Sequence, residues 1–423
     1  MCVKPRIAAR SAPAADTEAH PCAYDVVMSA HATPSRRRLA VVGAGPVGLV
    51  LALYAARTLP HTSVSLFDSR PADRDVAADP RTLALAQGSV QTLQSLGCWP
   101  AAAAAPILGV HVSQAPPSLG DASVLIRAQD LGVPQLGAVL SYGALVAPLQ
   151  AAWIEAAAAA PERLVSRFGT PVAALKPVAG GVEIDAGIAE TFDLAVVAEG
   201  GVFADQARKA IAHDYGQTAW VGTVTLDGGT PGLAFERFTR QGPAALLPLP
   251  PAADGRRRAA LVWCVSRDDD PVQPLDAAQR LAVLNTVFPP EAGRLLSVSP
   301  LKAFALGLNA ERSLVQGRSV RIGNAAQTLH PVAGQGLNLG LRDARMLVDA
   351  LRFEADTDAA LRRVEWARAP DRWSMIAATD FLARSFTWRL PGAAALRGAG
   401  LAALQHFGPG KALLARRMMF GGR

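Results

Sequence analysis

The sequence predicts an α/β protein in which a mostly parallel sheet is joined to a separate antiparallel sheet and followed by a helical region. Three features of its 423 residues predict this: an apolar strand that enters a glycine-rich turn near residue 40, a block of short strands over 214–310, and a second glycine-rich turn near residue 334. Buried strands that alternate with helices form parallel sheets, whereas short strands separated by Gly, Pro and Asp form antiparallel ones. The two sheets therefore belong to different regions of the fold.

The first glycine-rich turn lies in Leu39–Gly48, where four apolar residues run directly into the spacing G-x-G-x-x-G. Gly43 permits a tight turn, Gly45 lets the backbone approach a pyrophosphate, and Gly48 lets the next helix pack close to the strand. Pro46 suits the first turn of that helix, and its N-terminus favours phosphate groups. This segment predicts a dinucleotide site.

The position of the next acidic residue supports the same prediction. A second strand at 62–67 ends in Asp68, 20 residues after Gly48, where a carboxylate can bind the hydroxyls of an adenosine ribose. The alternative is that the three arginines at 36–38 and the 18 uncharged residues after them form a signal peptide or a membrane span. Three glycines and a proline inside that run argue against it.

Two further segments extend the first region. Apolar residues recur at helical spacing over 83–96, so we expect a helix that begins soon after Asp79-Pro80-Arg81. Arg81 would then stand at a loop-to-helix junction, where its guanidinium can reach a phosphate, with a surface salt bridge as the alternative. A strand at 192–198 that is apolar except for Asp193 ends in Glu199-Gly200-Gly201, which predicts an added strand of the first sheet, with its turn near the cofactor.

Residues 214–310 form the antiparallel block. We predict strands at 219–226, 233–238, 244–249 and 259–266, and a helix at 275–285. We interpret this sheet as the wall of a substrate cavity. Five aromatic residues are candidates for an aromatic pocket there, with ordinary core packing as the alternative for each: Trp220, Phe235, Phe238, Trp263 and Phe304.

The second glycine-rich turn follows a strand that ends at Gly323. Gly334-Gln335-Gly336 leads into a helix whose apolar residues recur every three or four positions over 337–351. The glycines let the main chain lie against a flat ligand, and the helix N-terminus stabilises the negative charge that a reduced flavin carries near its N1 atom. Asn324 can hydrogen-bond a ribityl hydroxyl.

Taken together, these motifs resemble those of the FAD-dependent aromatic hydroxylases of the para-hydroxybenzoate hydroxylase superfamily. The segments Gly323–Gly340 and Glu236–Pro248 are most similar to the ubiquinone-biosynthesis hydroxylases, particularly the 2-polyprenyl-6-methoxyphenol hydroxylase branch. The resemblance covers about residues 38–420. It implies a Rossmann-type FAD-binding domain with an interleaved antiparallel β-sheet substrate domain and a helical C-terminal region.

The resemblance also implies which residues bind FAD. The ADP part would be held by Gly43, Gly45, Pro46, Gly48 and Asp68, with Arg81 near the phosphates; Asn324 would bind the ribityl chain, and Gly334, Gln335, Gly336 and Asn338 would face the isoalloxazine ring. Two positions depart from the family pattern. Asn324 and Glu199 each replace a usual aspartate, so the part that Glu199 plays in NAD(P)H handling or ring positioning stays open.

The implied reaction uses NAD(P)H to reduce FAD, O₂ to form a C4a-hydroperoxyflavin, and a polyprenylated phenol on the way to ubiquinone as the acceptor of one oxygen atom. Because the flavin carries this chemistry, neither a metal nor a protein nucleophile is required, and we assign no catalytic residue. His330 lies in the loop between Gly323 and Gly334, called the flavin loop below, and is a candidate base. The alternative is that His330-Pro331 only fixes the conformation of this loop.

Other functions stay open at this point. They are a flavin hydroxylase of a soluble phenol, a reductase or halogenase on the same fold, and a non-catalytic FAD- or quinone-binding member of a ubiquinone-synthesis complex. The W-x-W-x-I-P signature of the halogenases is absent from the sequence.

Charge is concentrated at the C-terminus. Residues 381–423 hold seven Lys or Arg and no acid, which accounts for the whole net charge of +7 and removes the argument for nucleic-acid binding. This basic tail also contains Leu413, Leu414 and Phe420, so it can dock on an anionic inner membrane or an acidic partner, or its apolar residues can pack on the core. The four cysteines lack C-x-x-C spacing, which favours reduced thiols in a cytoplasmic protein.

These features predict five regions. They are a disordered extension at 1–35, within which Met28 could be the true start; a first part of the FAD-binding domain at 36–213, with room for substrate-domain strands; the substrate domain at 214–310; the second part of the FAD-binding domain at 311–352; and the helical region with its basic tail at 353–423.

Overall fold

The computed structural model describes residues 36–115, 122–200, 211–385 and 392–422. The predicted extension at 1–35, with Met28, lies outside the described residues. So do Gly201 of the predicted turn and two cations of the tail, Arg389 and Arg423.

The helices and strands of the described residues are numbered in chain order. The helices are α1 (Pro46–Thr58), α2 (Gln87–Ser95), α3 (Tyr142–Ala159), α4 (Ala277–Val287), α5 (Gly336–Phe353), α6 (Thr357–Ser385), α7 (Ala393–His406) and α8 (Gly408–Phe420). The strands are β1 (Arg37–Val42), β2 (Thr62–Asp68), β3 (Thr82–Ala86), β4 (Ala105–Ile107), β5 (Gly109–Gln114), β6 (Ser123–Arg127), β7 (Gly137–Ser141), β8 (Leu164–Phe168), β9 (Ala174–Val178), β10 (Gly181–Asp185), β11 (Ala189–Phe192), β12 (Leu194–Val197), β13 (Ile211–Asp227), β14 (Leu233–Phe238), β15 (Pro243–Leu249), β16 (Arg257–Ser266), β17 (Arg294–Val298), β18 (Lys302–Ala310), β19 (Val315–Gln316), β20 (Ser319–Arg321) and β21 (Gln327–Thr328).

The first sheet has six strands in the order β19-β20-β12-β1-β2-β8. Every neighbouring pair from β20 to β8 is parallel, and the edge strand β19 is antiparallel. The strand predicted from the apolar run 192–198 is therefore confirmed as β12, beside β1. Helices α1, α3 and α5 cover the sheet with a continuous apolar core in which Leu39, Leu51 and Trp153 are fully buried.

One predicted helix is wrong at its start. Residues 82–86 form strand β3, which pairs antiparallel with β7, and the helix begins only at Gln87. The apolar spacing of so short a segment fits a strand as well as a helix, and pairing with a strand more than 50 residues away decides between them. Arg81 consequently stands at a loop-to-strand junction.

The second large sheet is mainly antiparallel and contains the four predicted strands as β13 to β16, with the predicted helix as α4. Its order is β21-β18-β13-β16-β15-β14-β5-β6, with β17 also pairing β13. Strands β5 and β6 come from the chain before residue 214. They enter the sheet through parallel pairing of β5 with β14.

The C-terminal helices are tied to α5 by buried charges. The Nε atom of Arg368 in α6 lies 2.7 Å from Oδ1 of Asp343 in α5, and its second guanidinium nitrogen donates to Asp371 at 2.8 Å. Asp371 also accepts the backbone N–H of Gly422 at 3.0 Å. Helix α6 begins at Thr357 and runs to Ser385. Among the described helices, none is long and apolar enough to cross a membrane.

Candidate active site

The first glycine-rich turn is held by contacts within the protein. Gly43 has φ +105°, and a Cβ atom on it would lie 2.9 Å from the backbone nitrogen of Glu199. A Cβ atom on Gly48 would lie 1.9 Å from the carbonyl oxygen of Gly43, so no side chain fits there. Gly45 caps α1 without a side chain, and Pro46 is the first helical residue, as predicted. The N-terminus of α1 therefore remains accessible to an anion.

Asp68, at the end of β2, lies directly beside this turn. Its carboxylate is buried and accepts the backbone N–H of Ala44 at 2.6 Å. It also accepts the backbone N–H of Arg70 at 2.8 Å and the Arg70 side chain at 3.0 Å, while the same guanidinium donates to the carbonyl of Ala44 at 2.8 Å. Sequence reasoning missed Arg70, although a cation two residues after the predicted ribose-binding acid was a usable signal.

Arg81 forms the surface salt bridge that the sequence offered as the alternative to phosphate binding. It forms an ion pair with Asp79 at 2.7 Å, and its guanidinium lies over the ring of Tyr142, 4.2 Å from the centroid. The hydrogen bond to Asp79 is the main cause that raises the pKa of Arg81. The hydroxyl of Tyr142 would lie 3.8 Å from a Cβ atom on Gly45. Arg81 and Tyr142 thus border the phosphate end of the turn, and Tyr142 is a second residue that sequence reasoning missed.

The segments on either side of the second glycine-rich turn pack against each other and against α1. Gly323 has φ +59°, and a Cβ atom on Gly340 would lie 2.8 Å from the Cα atom of Gly323 and 2.9 Å from a methyl carbon of Val47 in α1. Asn324 lies beside Gly200 at the end of β12, where a Cβ atom on the glycine would be 3.6 Å from the amide nitrogen of Asn324. The turns at residues 43, 200 and 323 therefore converge at one edge of the parallel sheet.

At the start of α5 the main chain is open. A Cβ atom on Gly336 would meet no heavy atom within 4 Å, whereas one on Gly334 (φ +58°) would lie 3.3 Å from Ala84. Gln335, between them, is buried and occupies the N-cap position without a side-chain capping bond. This arrangement leaves the backbone at Gly336 and the helix N-terminus open, at the place where the sequence predicts a flat ligand.

Asn338 is placed differently from its neighbours in the motif. Its buried side-chain oxygen accepts the N–H of Ala86 at 2.8 Å and the hydroxyl of Ser89 at 2.7 Å. Its amide nitrogen donates to the carbonyls of Ala84 at 3.2 Å and Gly334 at 2.9 Å. Four protein hydrogen bonds use the donor and acceptor capacity of the amide, so Asn338 fixes the turn through its own side chain.

His330 is also fully engaged within the protein. Its Nδ1 atom accepts the backbone N–H of Val332 at 3.2 Å, so Nε2 carries the proton and donates to the side-chain oxygen of Gln217 at 2.9 Å. Burial lowers the pKa of His330 to about 4. The ring is neutral at pH 7 and joins the flavin loop to strand β13, which favours the structural role over that of a base.

Glu199 lies against Gly43 at the end of β12. Burial, with a smaller contribution from the charge of Asp68, raises the pKa of Glu199 above its ordinary value. Asp68 and Glu199 thus lie at the same edge of the sheet in different environments. Asp68 is paired with Arg70, whereas burial is the main influence on Glu199.

The predicted aromatic pocket is wrong in part, because strand alternation divides its members between two faces of the large sheet. Trp220, Phe235 and Trp263 pack beneath α4 on the outer face, where a cavity of about 450 Å³ lies beside Trp263. Phe238 packs on the opposite face against Val332 of the flavin loop. That second face therefore borders the loop that leads into the second glycine-rich turn.

The residues at this edge fit FAD. The α1 N-terminus and the open backbone at Gly45 suit a pyrophosphate, Asp68 suits a ribose, and the cations Arg70 and Arg81 offset phosphate charge. The open backbone at Gly336 suits a flat ring. Fold and site together define the class of FAD-dependent monooxygenases.

Comparison with known proteins assigns the family. A model of an FAD-binding domain matches residues 214–375. The 3-demethoxyubiquinol 3-hydroxylase of Escherichia coli (strain K12) is 30% identical over 397 residues, which cover 88% of this chain and 95% of that protein. The ubiquinone hydroxylase UbiL of Rhodospirillum rubrum is 38% identical over 212 residues, which cover 48% of each chain. The structure of Klebsiella pneumoniae HpxO with FAD and uric acid shares the fold, with a TM-score of 0.68, 16% identity, and coverage of 91% and 97%.

The chain belongs to the FAD-dependent aromatic hydroxylases of the para-hydroxybenzoate hydroxylase superfamily, in their ubiquinone-biosynthesis branch. FAD is its cofactor and NAD(P)H its reducing co-substrate. The cofactor that the sequence motifs predicted is thereby confirmed.

Proposed function

We propose that this protein hydroxylates the aromatic ring of a polyprenylated phenol during ubiquinone biosynthesis. The observation that carries the proposal is the convergence of the turns at residues 43, 200 and 323 at one edge of the parallel sheet, in a chain that is similar to a 3-demethoxyubiquinol 3-hydroxylase over 95% of that protein's length. FAD, when bound, supplies the passage of electrons from NAD(P)H to O₂ and the activation of one oxygen atom.

In this proposal the residues of the chain bind and orient the cofactor. The backbone at Gly43, Gly45 and Gly48 and the N-terminus at Pro46 hold the pyrophosphate, and Asp68 holds the ribose. Arg70 and Arg81 stabilise phosphate charge, and Asn324 binds the ribityl chain. The backbone of Gly334, Gln335 and Gly336 lies against the ring, while Asn338 fixes that backbone through its four hydrogen bonds.

The direct test is turnover by the purified protein loaded with FAD, using a phenol that carries one isoprene unit. We expect the phenol to stimulate NAD(P)H oxidation and to gain one oxygen atom, seen as a mass increase of the product. A protein that binds FAD and yet hydroxylates only soluble phenols without a prenyl group would support the alternative substrate class. Absence of any oxygenated product would contradict the proposal.

The proposal includes peripheral docking on an anionic membrane, where a polyprenylated substrate would reside. Part of the C-terminal region packs on the protein: Ala415 and Met419 are buried, and Lys411 donates to the carbonyl of Leu125 at 3.1 Å. Other apolar residues face outward on α7 and α8, including Leu396 (77% exposed) and Leu413 (70% exposed).

The outward residues of α7, together with Phe407 directly after it, form one stripe. Leu396, Ala399, Ala403 and Phe407 are all exposed and recur at helical spacing. Because residues 381–423 contain cations and no acid, an apolar stripe in this setting suits an anionic lipid surface.

Replacement of Leu396, Phe407 and Leu413 by Ser should lower the affinity for vesicles that contain anionic lipid by about tenfold or more, because apolar area no longer enters the interface. Sedimentation with vesicles measures this, with Ile188→Ser as the matched control, since Ile188 is 77% exposed on a different part of the surface. Equal binding by the triple variant and the wild type would contradict membrane docking through the outward apolar residues of the C-terminal region.

A further inference from the structure

The C-terminal end of helix α8 lies directly on helix α2. A Cβ atom on Gly88 of α2 would be 2.9 Å from the carbonyl oxygen of Met419 and 3.3 Å from a ring carbon of Phe420. Met419 itself is buried. Two stretches of backbone approach this closely where a glycine leaves the room. The end of α8 is therefore seated on α2.

The same end of α8 is bonded to helices α5 and α6. Nη2 of Arg342 in α5 donates to the carbonyl oxygen of Met418 at 2.7 Å, one of the last carbonyls of α8, which have no partner within their own helix. Arg342 also pairs with the buried Asp371 of α6 at 3.5 Å, and Asp371 accepts the backbone N–H of Gly422 at 3.0 Å. We call residues 418–422 the C-terminal latch.

Helix α5 connects the latch to the second glycine-rich turn. Arg342 lies four residues after Asn338, so both project from one face of α5. Asn338 accepts the hydroxyl of Ser89 in α2 at 2.7 Å and donates to the carbonyl of Gly334 at 2.9 Å. The contacts thus form a closed ring: Arg342 joins α5 to α8, Gly88 joins α8 to α2, and Asn338 joins α2 back to α5.

We propose that the C-terminal latch positions the part of the site that holds the flavin ring, and that Arg342 is the positioning residue through which it acts. When the latch is closed, α5 is held at two successive turns, by Asn338 and by Arg342, and the backbone at 334–336 keeps its place. When it is open, one of these two restraints is lost, and binding of the ring must first order the turn again. This inference rests on the placement of the ring in the proposed function.

The two halves of FAD report on different parts of the site. The first turn belongs to β1, α1 and β2, whereas the latch is bonded to α5 and α6 and is seated on α2. ADP has no flavin ring, so its affinity should not depend on the latch, whereas that of FAD should. Coupling between two sites is reciprocal, so FAD should in turn hold the latch closed, and ADP should not.

Two variants open the latch from different sides. Arg342→Met keeps an apolar side chain of similar length and removes the donor, and Arg342→Lys restores a charge and a donor. Gly88→Ala pushes on the carbonyl of Met419 and leaves Arg342 intact. Arg417→Met is the matched control, because Arg417 is an exposed arginine of the same helix that donates to Ser374 in α6 at 3.0 Å. Each full-length protein is stripped of FAD and titrated calorimetrically with FAD and with ADP.

We expect FAD affinity to fall about tenfold in Arg342→Met and in Gly88→Ala, the scale of one lost hydrogen bond to a charged group. ADP affinity should stay within about twofold of the wild type. Arg342→Lys should recover part of the FAD affinity, and Arg417→Met should match the wild type with both ligands. An equal loss of FAD and ADP affinity in Arg342→Met and Gly88→Ala would contradict the positioning role, because general damage to the fold affects both ligands.

Hydrogen exchange tests the reciprocal effect. In the wild type, the backbone amides of residues 418–422 should exchange about tenfold more slowly with saturating FAD than with saturating ADP, because the coupling factor is the same in both directions. In Arg342→Met this difference should be absent. Equal exchange of the wild type with the two ligands would contradict the inference.

Gly336→Ala separates failure of the latch from failure of the site. If Arg342→Met and Gly88→Ala keep the wild-type ratio of FAD to ADP affinity while Gly336→Ala lowers it, the ring lies at the second turn, the latch does not position it, and the proposed function stands. If Gly336→Ala also keeps that ratio, the placement of the ring is wrong and the inference fails with it. All of these measurements are made without turnover, so the identity of the hydroxylated substrate does not affect them.

Discussion

The two glycine-rich turns differ in what requires their glycines. In the first turn the protein itself does, because a Cβ atom on Gly43 or Gly48 would collide with backbone 2.9 Å or 1.9 Å away. In the second turn, a Cβ atom on Gly336 would lie in open space. The difference separates glycines that the fold needs from a glycine that only a bound ligand would need.

The largest expected effect is in the first turn. Gly48→Ala places a methyl group against the carbonyl of Gly43, so we expect the free energy of unfolding to fall by about 3 kcal/mol, the upper end for overpacking, together with loss of bound FAD. Chemical denaturation of the cofactor-free protein measures it. Gly400→Ala is the control, since a methyl group added to that helical glycine would have no heavy atom within 4 Å and should be neutral or slightly stabilising. Equal stability of both variants would contradict the steric account.

The second prediction concerns how the stability of the folded protein depends on pH through His330, in the loop that leads to the second turn. Burial lowers the pKa of His330 from 6.5 to about 4, so between these values the unfolded chain binds a proton that the folded protein excludes. Stability should therefore be complete above about pH 6.5 and decrease as pH falls towards 4, by up to about 3 kcal/mol. In His330→Gln this part of the pH dependence of stability should be absent, whereas the parts that other titratable groups contribute should remain. Parallel stability curves for the two proteins between pH 7 and 4 would contradict it.

The third prediction is the smallest in energy and the most informative about the second turn. Gly336→Ala should leave the unfolding free energy of the cofactor-free protein within about 0.5 kcal/mol of the wild type, because the methyl group meets no protein atom. FAD affinity should nevertheless fall about tenfold, equal to about 1.4 kcal/mol. Fluorescence titration with FAD measures it. Unchanged affinity would mean that the ligand does not approach this backbone.

The same contrast explains how much could be predicted from the sequence. The strand, the glycine spacing and Asp68 lie in one continuous segment, so they were enough to predict the first turn, although the backbone that restricts Gly43 belongs to the distant Glu199. The second turn was recognised through its helical periodicity and its resemblance to a family. In both cases the sequence signal that predicts the turn is local or recurs as a motif.

Features that depend on distant pairing were missed. The strand at 82–86 exists because it pairs with β7, and the aromatic residues separate because the register of β13 to β16 sends Trp263 and Phe238 to opposite faces. Tyr142 reaches Gly45 only through the packing of α3 against α1.

The measurement that tests the central claim most directly is the mass of the quinone intermediate that accumulates in membranes when the gene is deleted. The account predicts a polyprenylated phenol that lacks one ring oxygen, with a substitution pattern that identifies the carbon normally hydroxylated. Normal ubiquinone with no intermediate, in a strain that has no second ring hydroxylase, would contradict a role in this pathway.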